Sequence, residues 1–212
     1  MSFLYGGLIM YTIINEGSTI TGVDSDSYQR LQKEKEYLEY INTHILNVQK
    51  SFLKFFVPLL QKDIISDIIR NDEFHNAIKL AASRVTVHDQ SKFGDDEFDG
   101  YRAKWYPTEK EKHYTDDNYQ EKMLERYEQC WEHHYRVNDH HPIHWVNQKT
   151  GEITDMPMDA IIEMICDWEG VSRTDHDNMI NWYETKATDE KKNMSPRTKA
   201  IVDEIIYNII NK

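Results

Sequence analysis

The segment LEYINTHILNVQKSFLKFFVPL, residues 38–59, indicates the fold class of this chain. Its apolar residues recur at steps of three and four, which places them on one face of a long amphipathic helix. That face contains Leu38, Ile41, Ile45, Val48, Phe52, Phe55 and Leu59. Asp24 or Ser25 can cap the start of the helix, and we expect Pro58 to kink or end it. A helical domain is therefore predicted.

Further helical patterns extend over the rest of the chain, so an all-α body over 24–212 is predicted. They cover 64–80, 74–87, 116–137 and 157–168, and a last amphipathic helix begins at Ser195-Pro196. The boundary between the second and third patterns is open.

Residues 1–23 differ, because two β-branched runs flank a turn at 15–17. They predict a short N-terminal β-hairpin, which must pack on the body or on a partner chain.

Composition excludes several classes of function. The net charge of −12 repels phosphate backbones, so we expect no binding of duplex nucleic acid. Cys130 and Cys166 form neither a disulfide framework nor a C-x-x-C pair, which favours a reducing compartment. No segment reaches membrane length, and the apolar start lacks a basic leader. We expect a soluble cytoplasmic protein without membrane contact.

Four residues, at three places in the chain, stand out as possible metal ligands. His88 and Asp89 are adjacent, and such a pair can bind one ion, although alone it is more often a capping Asp beside a surface His. His44 shares the apolar face of the first helix, where a buried imidazole must form a hydrogen bond or bind a metal. Asp167 lies in an apolar helix, so a metal or another cation is expected opposite it.

Residues 131–145 contain five histidines within a dozen positions, far above background: His133, His134, His140, His141 and His144. Neutral imidazole is the commonest metal ligand at neutral pH, and His134 and His141 are two helical turns apart. A pH-sensing surface cluster is the alternative. Zinc-protease, P-loop and nucleophile-elbow motifs do not occur in the sequence, which leaves fewer classes of catalytic site to consider.

In chain order these candidates resemble the HD superfamily of metal-dependent phosphohydrolases, which hold metal with a His, a His-Asp pair and a distant Asp on a helical bundle. Members with two further His bind two ions. Lys92 is similar to the lysine of the His-Asp-x-x-Lys variant, which faces the substrate phosphate. The resemblance implies an HD-like helical bundle.

A closer resemblance is to an uncharacterised phage and bacterial family of small HD-like proteins. It rests on HDxSKF at 88–93, WxxH at 131–134, NxHHP at 138–142, and Met156-Pro157 followed by EMxCDW at 163–168. These motifs are specific only in combination, and the similarity covers roughly residues 37–182. That family implies no activity, so the expected function comes from the wider superfamily.

The resemblance implies one or two divalent ions (Mn, Fe, Co or Mg). The first would be held by His44, His88, Asp89 and Asp167, and the second by His134 with His141 or His140. Asp89 or a water would bridge them, and His133 could replace His134.

The implied reaction is phosphohydrolysis of a small phosphorylated molecule, and a nucleotide is the expected substrate. Asp89 and Lys92 would act in catalysis, and Lys92, Asn138 and Trp145 would contact the substrate. Tyr135 or Trp168 could stack on a base in place of Trp145. For a phage-encoded protein the location would be the host cytoplasm.

Two other functions fit the same residues. A di-iron oxygenase on the same scaffold would use the same ligand types. A non-catalytic, metal-stabilised module would use its acidic surface and the hairpin to bind a partner. The hairpin also suggests a homodimer contact.

Overall fold

The computed structural model describes residues 24–113, 117–174 and 178–210. The predicted β-hairpin and the appendage at 1–23 lie outside these ranges. Within them the structure is helical and has no β-strand, only an isolated bridge between Val146 and Ile153. The all-α prediction is confirmed for this part of the chain.

The helices of the described ranges are numbered in chain order. They are α1 (Ser25–Phe55), α2 (Asn71–Thr86), α3 (Phe98–Trp105), α4 (Glu109–Lys112), α5 (Asp117–Val137), α6 (Met158–Thr174), α7 (Met179–Thr185), α8 (Thr188–Lys192) and α9 (Pro196–Asp203). A π-helical turn, Glu204–Ile209, continues α9. Short 3-10 turns lie at Val57–Gln61, Gln90–Phe93 and Pro142–Trp145.

The ends of α1 and α9 follow the capping pattern of the sequence. The Asp24 carboxylate accepts hydrogen bonds from the backbone N–H groups of Asp26 and Ser27. At the other end α1 stops at Phe55, and Pro58 lies in the 3-10 turn that follows. Ser195 caps α9 in the same way, with Pro196 at its first position.

The predicted helix over 64–80 is wrong for its first seven residues, because α2 begins only at Asn71. The Ser66 hydroxyl accepts hydrogen bonds from the backbone N–H groups of Ile68 and Ile69, and the Asn71 side chain accepts one from Ile64. Such side-chain bonds give the backbone an alternative to helical pairing. The isoleucines at 64, 65, 68 and 69 only imitate helical spacing, and Ile65 is almost fully exposed.

Helix α6 lies at the centre of the fold and packs most extensively against α1 and α2. It runs six residues beyond the predicted end at Trp168. The α1–α6 approach is close at Gly170, where an added Cβ would lie 3.1 Å from Val48 Cγ2 and 3.3 Å from the Val48 backbone nitrogen. A second, smaller packing unit joins α3 to α5.

The apolar residues form two cores. The larger one joins α1, α2, α6, α7 and α9 and includes Phe56, Phe74 and Ile161. The smaller one contains Tyr37, Ile41, Ile45, Tyr101 and Cys130. No helix in the described ranges has the length and apolar character that crossing a membrane requires.

Candidate metal centre

Helix α1 brings one histidine into the interior. His44 lies on the same face as Ile41 and Val48 and is 3% exposed. The helical period that predicted a buried imidazole at this position therefore places it between the two cores.

The His88-Asp89 pair lies just beyond the end of α2. Asp89 has a left-handed backbone, with φ of 55° and ψ of 22°. Aspartate is among the few residues that adopt this conformation at modest cost. Side chains of neighbouring residues diverge along a helix, but here the chain has left the helix and both side chains converge on the interior. Both residues are buried.

The first group of converging atoms comes from α1, the His-Asp pair and α6. His44 Nε2 lies 3.2 Å from His88 Nε2 and 3.0 Å from Asp167 Oδ1. His88 Nε2 lies 3.5 Å from the same oxygen. Asp89 Oδ2 is 3.6 Å from His44 Nε2 and 3.5 Å from His88 Nε2. Four predicted ligands therefore meet in one small, buried space.

The second group lies on the other side of Asp89. Its Oδ1 atom is 3.4 Å from His134 Nε2 and 3.7 Å from His140 Nε2. His141 belongs to the same group, in which one ligand atom from each residue lies within 4.8 Å of the others. Asp89 thus presents one oxygen to each group. The sequence left open whether His140 or His141 belongs to this group, and the structure places both of them in it.

The distances within the groups suit metal coordination. Two donors that are each about 2.1 Å from one ion stand roughly 3.0 to 3.5 Å apart at cis-octahedral or tetrahedral angles. Several of the donor atoms are buried without a hydrogen-bond partner among the described residues: Asp89 Oδ1, His140 Nε2 and His141 Nε2. Unpartnered buried polar atoms are costly unless something binds them. These groups could hold a metal ion.

A carboxylate on α6 fixes the orientation of two of the imidazoles. Glu163 Oε1 lies 3.0 Å from His88 Nδ1 and 3.4 Å from His140 Nδ1, and a carboxylate can only accept from these nitrogens. With Nδ1 as the donor, each ring can present Nε2 toward Asp89, as metal-binding histidines require. For His88 this requires loss of a proton, because burial would lower its pKa but Asp89, Asp167 and Glu163 raise it to about 10. Arg84 holds the other oxygen of Glu163 at 2.8 Å and also pairs with Asp139 and Asp159.

Glu97 has the same role for His134. It is fully buried, and its two oxygens lie 2.8 Å from His134 Nδ1 and 2.8 Å from His133 Nδ1. The Nε2 atom of His134 faces Asp89, whereas that of His133 lies 3.6 Å from the exposed Asp96. His134, and not His133, therefore joins the second group.

The electrostatics of the centre keep the acids ionised. Burial alone would raise the pKa of Asp167, but hydrogen bonds from His44 and His88 hold it well below its usual value. Burial likewise opposes ionisation of Asp89, and His88 and Lys92 outweigh it, so the pKa of Asp89 is also lowered. Burial lowers the pKa of His134 and His141, which favours the neutral imidazole that binds metal.

Lys92 lies at the edge of the centre. Its Nζ is 2.6 Å from Asp89 Oδ2, and its side chain is 17% exposed, so it connects the buried acid with the surface. Burial lowers the pKa of Lys92, but Asp89 more than compensates and the net shift is upward. Lys92 is therefore a stable cation beside the ligand groups.

The other predicted substrate contacts occupy supporting positions. Asn138 donates to Ser91 Oγ at 2.7 Å and to the His134 carbonyl at 2.8 Å, which fixes the end of α5. The Trp145 indole donates to the Asp139 carbonyl at 2.7 Å.

The two alternative stacking residues also pack on other aromatic rings. Trp168 is buried against Trp182 and Tyr183, and Tyr135 packs on Trp131. His144 Nδ1 donates to the Tyr135 carbonyl, outside both groups.

Three residues of this site were not predicted: Arg84, Glu97 and Glu163. Glu163 could have been found, because it precedes Asp167 by four residues and so shares its helix face. Glu97 follows two exposed acids, Asp95 and Asp96, and no pattern in the sequence separates it from them.

Most of the chain matches the model of one protein family, to which the chain therefore belongs. Residues 33–208 match the model of a family of unknown function, DUF5662, which covers all the ligand candidates described above. Searches of curated proteins and of solved structures found no match.

Proposed function

We propose that this protein is a metal-dependent phosphohydrolase of the HD type that acts on a small phosphorylated molecule. The observation that carries the proposal is the position of Asp89, which turns one oxygen to each histidine group while Lys92 Nζ lies 2.6 Å from it. A paired His/Asp centre beside a fixed cation suits phosphoryl chemistry, in which negative charge must be held and stabilised.

Divalent ions bound there would supply Lewis-acid chemistry, namely activation of water and neutralisation of phosphoryl charge. The protein's own residues would hold and orient this centre, with Glu163 and Glu97 fixing the imidazoles from outside. Lys92 would bind a phosphate oxygen. In the net reaction the oxygen of water bonds to phosphorus, the ester P–O bond breaks, and a proton from water passes to the leaving alcohol.

The donor set favours a transition metal. Five imidazoles and two aspartates make up the two groups: His44, His88, His134, His140, His141, Asp89 and Asp167. Imidazole suits iron and its neighbours, whereas Mg²⁺ prefers oxygen ligands and water. Mn, Fe and Co therefore fit better than Mg.

Metal analysis of the purified protein, followed by phosphate release from a panel of phosphomonoesters with Mn²⁺ added, tests the proposal. We expect one or two ions per chain and metal-dependent phosphate release. Protein without stoichiometric metal, or metal-loaded protein that releases no phosphate from any ester, would overturn it. A coloured iron form that consumes oxygen would point instead to the oxygenase.

Lys92→Met tests the role of the lysine. We expect full metal content and a fall in phosphate release on the order of a hundredfold, because one charge-stabilising donor is lost. Lys33→Met is a matched control, since Lys33 also pairs with an acid three residues away, Glu36, at 2.7 Å. A Lys92→Met protein with the full rate would remove Lys92 from the mechanism.

A further inference from the structure

A cavity of about 330 Å³ lies directly beside the metal centre. Its lining contains one lysine and aromatic residues only: Tyr37, Tyr40, Lys92, Tyr101, Trp105 and Tyr106. The volume is at the lower end of the range for small-molecule sites. We call it the aromatic cavity.

The walls of the aromatic cavity touch the ligand groups. The Tyr40 ring is nearly parallel to the His44 ring, with an interplanar angle of 11° and centroids 6.3 Å apart. The Tyr101 ring meets His134 edge-on at 5.8 Å. Lys92 Nζ lies 5.7 Å from the Tyr101 centroid and 2.6 Å from Asp89 Oδ2. A molecule in the cavity would therefore lie beside Lys92, which contacts Asp89 of the centre.

Two tyrosines of the lining have buried hydroxyl groups for which the described residues supply no partner. Tyr37 is 2% exposed and Tyr101 is 7% exposed, and neither hydroxyl oxygen has a hydrogen-bond partner among the described residues. A buried hydroxyl without a hydrogen bond is costly. A bound molecule whose polar atoms reached these hydroxyl groups would offset that cost.

We infer that the aromatic cavity binds the planar ring of a nucleotide whose phosphate lies at Lys92. This inference rests on the proposed phosphohydrolase function and names its substrate class. Aromatic side chains stack on bases of every kind, because each base presents a π-face. The lining offers no aliphatic side chain for a lipid, and the charge of −12 opposes a nucleic-acid polymer.

Calorimetric titration of the metal-loaded protein tests the inference. The probes are phosphonate analogues of the four ribonucleoside monophosphates, which resist hydrolysis, and the matching phosphonate of ribose 5-phosphate, which lacks the base. We expect at least one nucleotide analogue to bind about tenfold or more tightly than the ribose analogue. Equal affinity for all five would overturn the inference.

Variants locate the site. Trp105 is 59% exposed and Tyr40 is 37% exposed, so Trp105→Ala and Tyr40→Ala should leave the fold intact, as thermal unfolding can verify. Each should remove most of the preference for the nucleotide and leave binding of the ribose analogue unchanged. Tyr28→Ala, another exposed tyrosine on α1 outside the cavity, should change neither. An undiminished nucleotide preference in both cavity variants would overturn the inference.

The two proposals fail in different ways. Metal-dependent phosphate release from ribose 5-phosphate as fast as from nucleotides would sustain the hydrolase and refute the aromatic cavity as a base site. Tight, Trp105-dependent nucleotide binding without phosphate release would sustain the base site and refute the hydrolase.

Discussion

The buried face of α1 has two halves that differ in what surrounds them. Toward its end, Phe52 and Phe56 pack with Phe74 in the larger apolar core. Two turns earlier, His44 meets Asp89 and Asp167 in the candidate metal centre. Both halves are equally buried and share one helical stripe, so periodicity alone does not distinguish them.

The two halves are stabilised in different ways. Burial of apolar rings is favourable without any ligand. Burial of Asp89, Asp167 and Glu163 is costly, and it is offset only by partners of opposite charge. We therefore expect substitutions in the apolar half to change stability, and substitutions in the polar half to change metal binding and activity.

Asp89→Asn should have the largest effect. Asparagine tolerates the left-handed backbone at this position, so the substitution removes the charge and leaves the backbone unstrained. We expect metal content near zero by metal analysis, and phosphate release reduced on the order of a thousandfold.

His113→Gln is its control, because the side chain of His113 is 79% exposed. An Asp89→Asn protein with the full metal content of the unsubstituted chain would contradict the shared role of Asp89.

Phe56→Ala should affect the other half alone. Phe56 is fully buried, so its truncation should lower the free energy of unfolding by about 3–5 kcal/mol in urea titrations. Metal content per folded chain should stay unchanged. Leu53→Ala, at a position 63% exposed on the same helix, should cost less than about 0.5 kcal/mol. Loss of metal from folded Phe56→Ala protein would break the distinction between the halves.

Glu163→Gln should weaken the metal centre without removing a ligand. The amide lacks the charge that fixes His88 and His140, so we expect metal affinity to fall about 10- to 100-fold in competition titrations with a chelator. Glu169→Gln is a matched control, because Glu169 is a buried glutamate of α6 that pairs with Arg173. Equal losses in both variants would contradict an orienting role for Glu163.

Gly170→Ala should have the smallest effect, at the border between the halves. The added methyl group would press on Val48, whereas its distance of 3.6 Å to His44 Cε1 is an ordinary contact. The gain in helix propensity offsets part of this steric cost, so we expect a net loss of about 1 kcal/mol in unfolding free energy. Metal affinity should be unchanged. A stabilised variant would show that α1 and α6 can separate at no cost.

Much of the fold could be predicted from the sequence, because the spacing of apolar residues and the capping residues determine where a helix forms. Helical spacing identified α1, α5 and α9, and it placed His44 inside. The same spacing failed at 64–70, where Ser66 and Asn71 bind the backbone instead.

The ligand residues of the site could be predicted from the sequence, but the contacts between residues far apart in the chain could not. The order of the histidines and aspartates indicated that they meet, but the aromatic cavity joins Tyr37 and Tyr40 of α1 to Tyr101 and Trp105 of α3. Their encounter depends on how α3 packs on α1, which no local pattern encodes. Arg84 was missed for the same reason, because its three acidic partners lie far along the chain.

The acidic residues of α6 have a consequence for how the chain folds. Asp159, Glu163 and Asp167 are spaced by four residues along one face, and like charges at this spacing repel each other in an isolated helix. Arg84 and the imidazoles that relieve this repulsion come from other parts of the chain. As a free peptide, residues 158–174 would thus be less helical than their apolar composition suggests, and α6 gains its full order only as the bundle assembles around it.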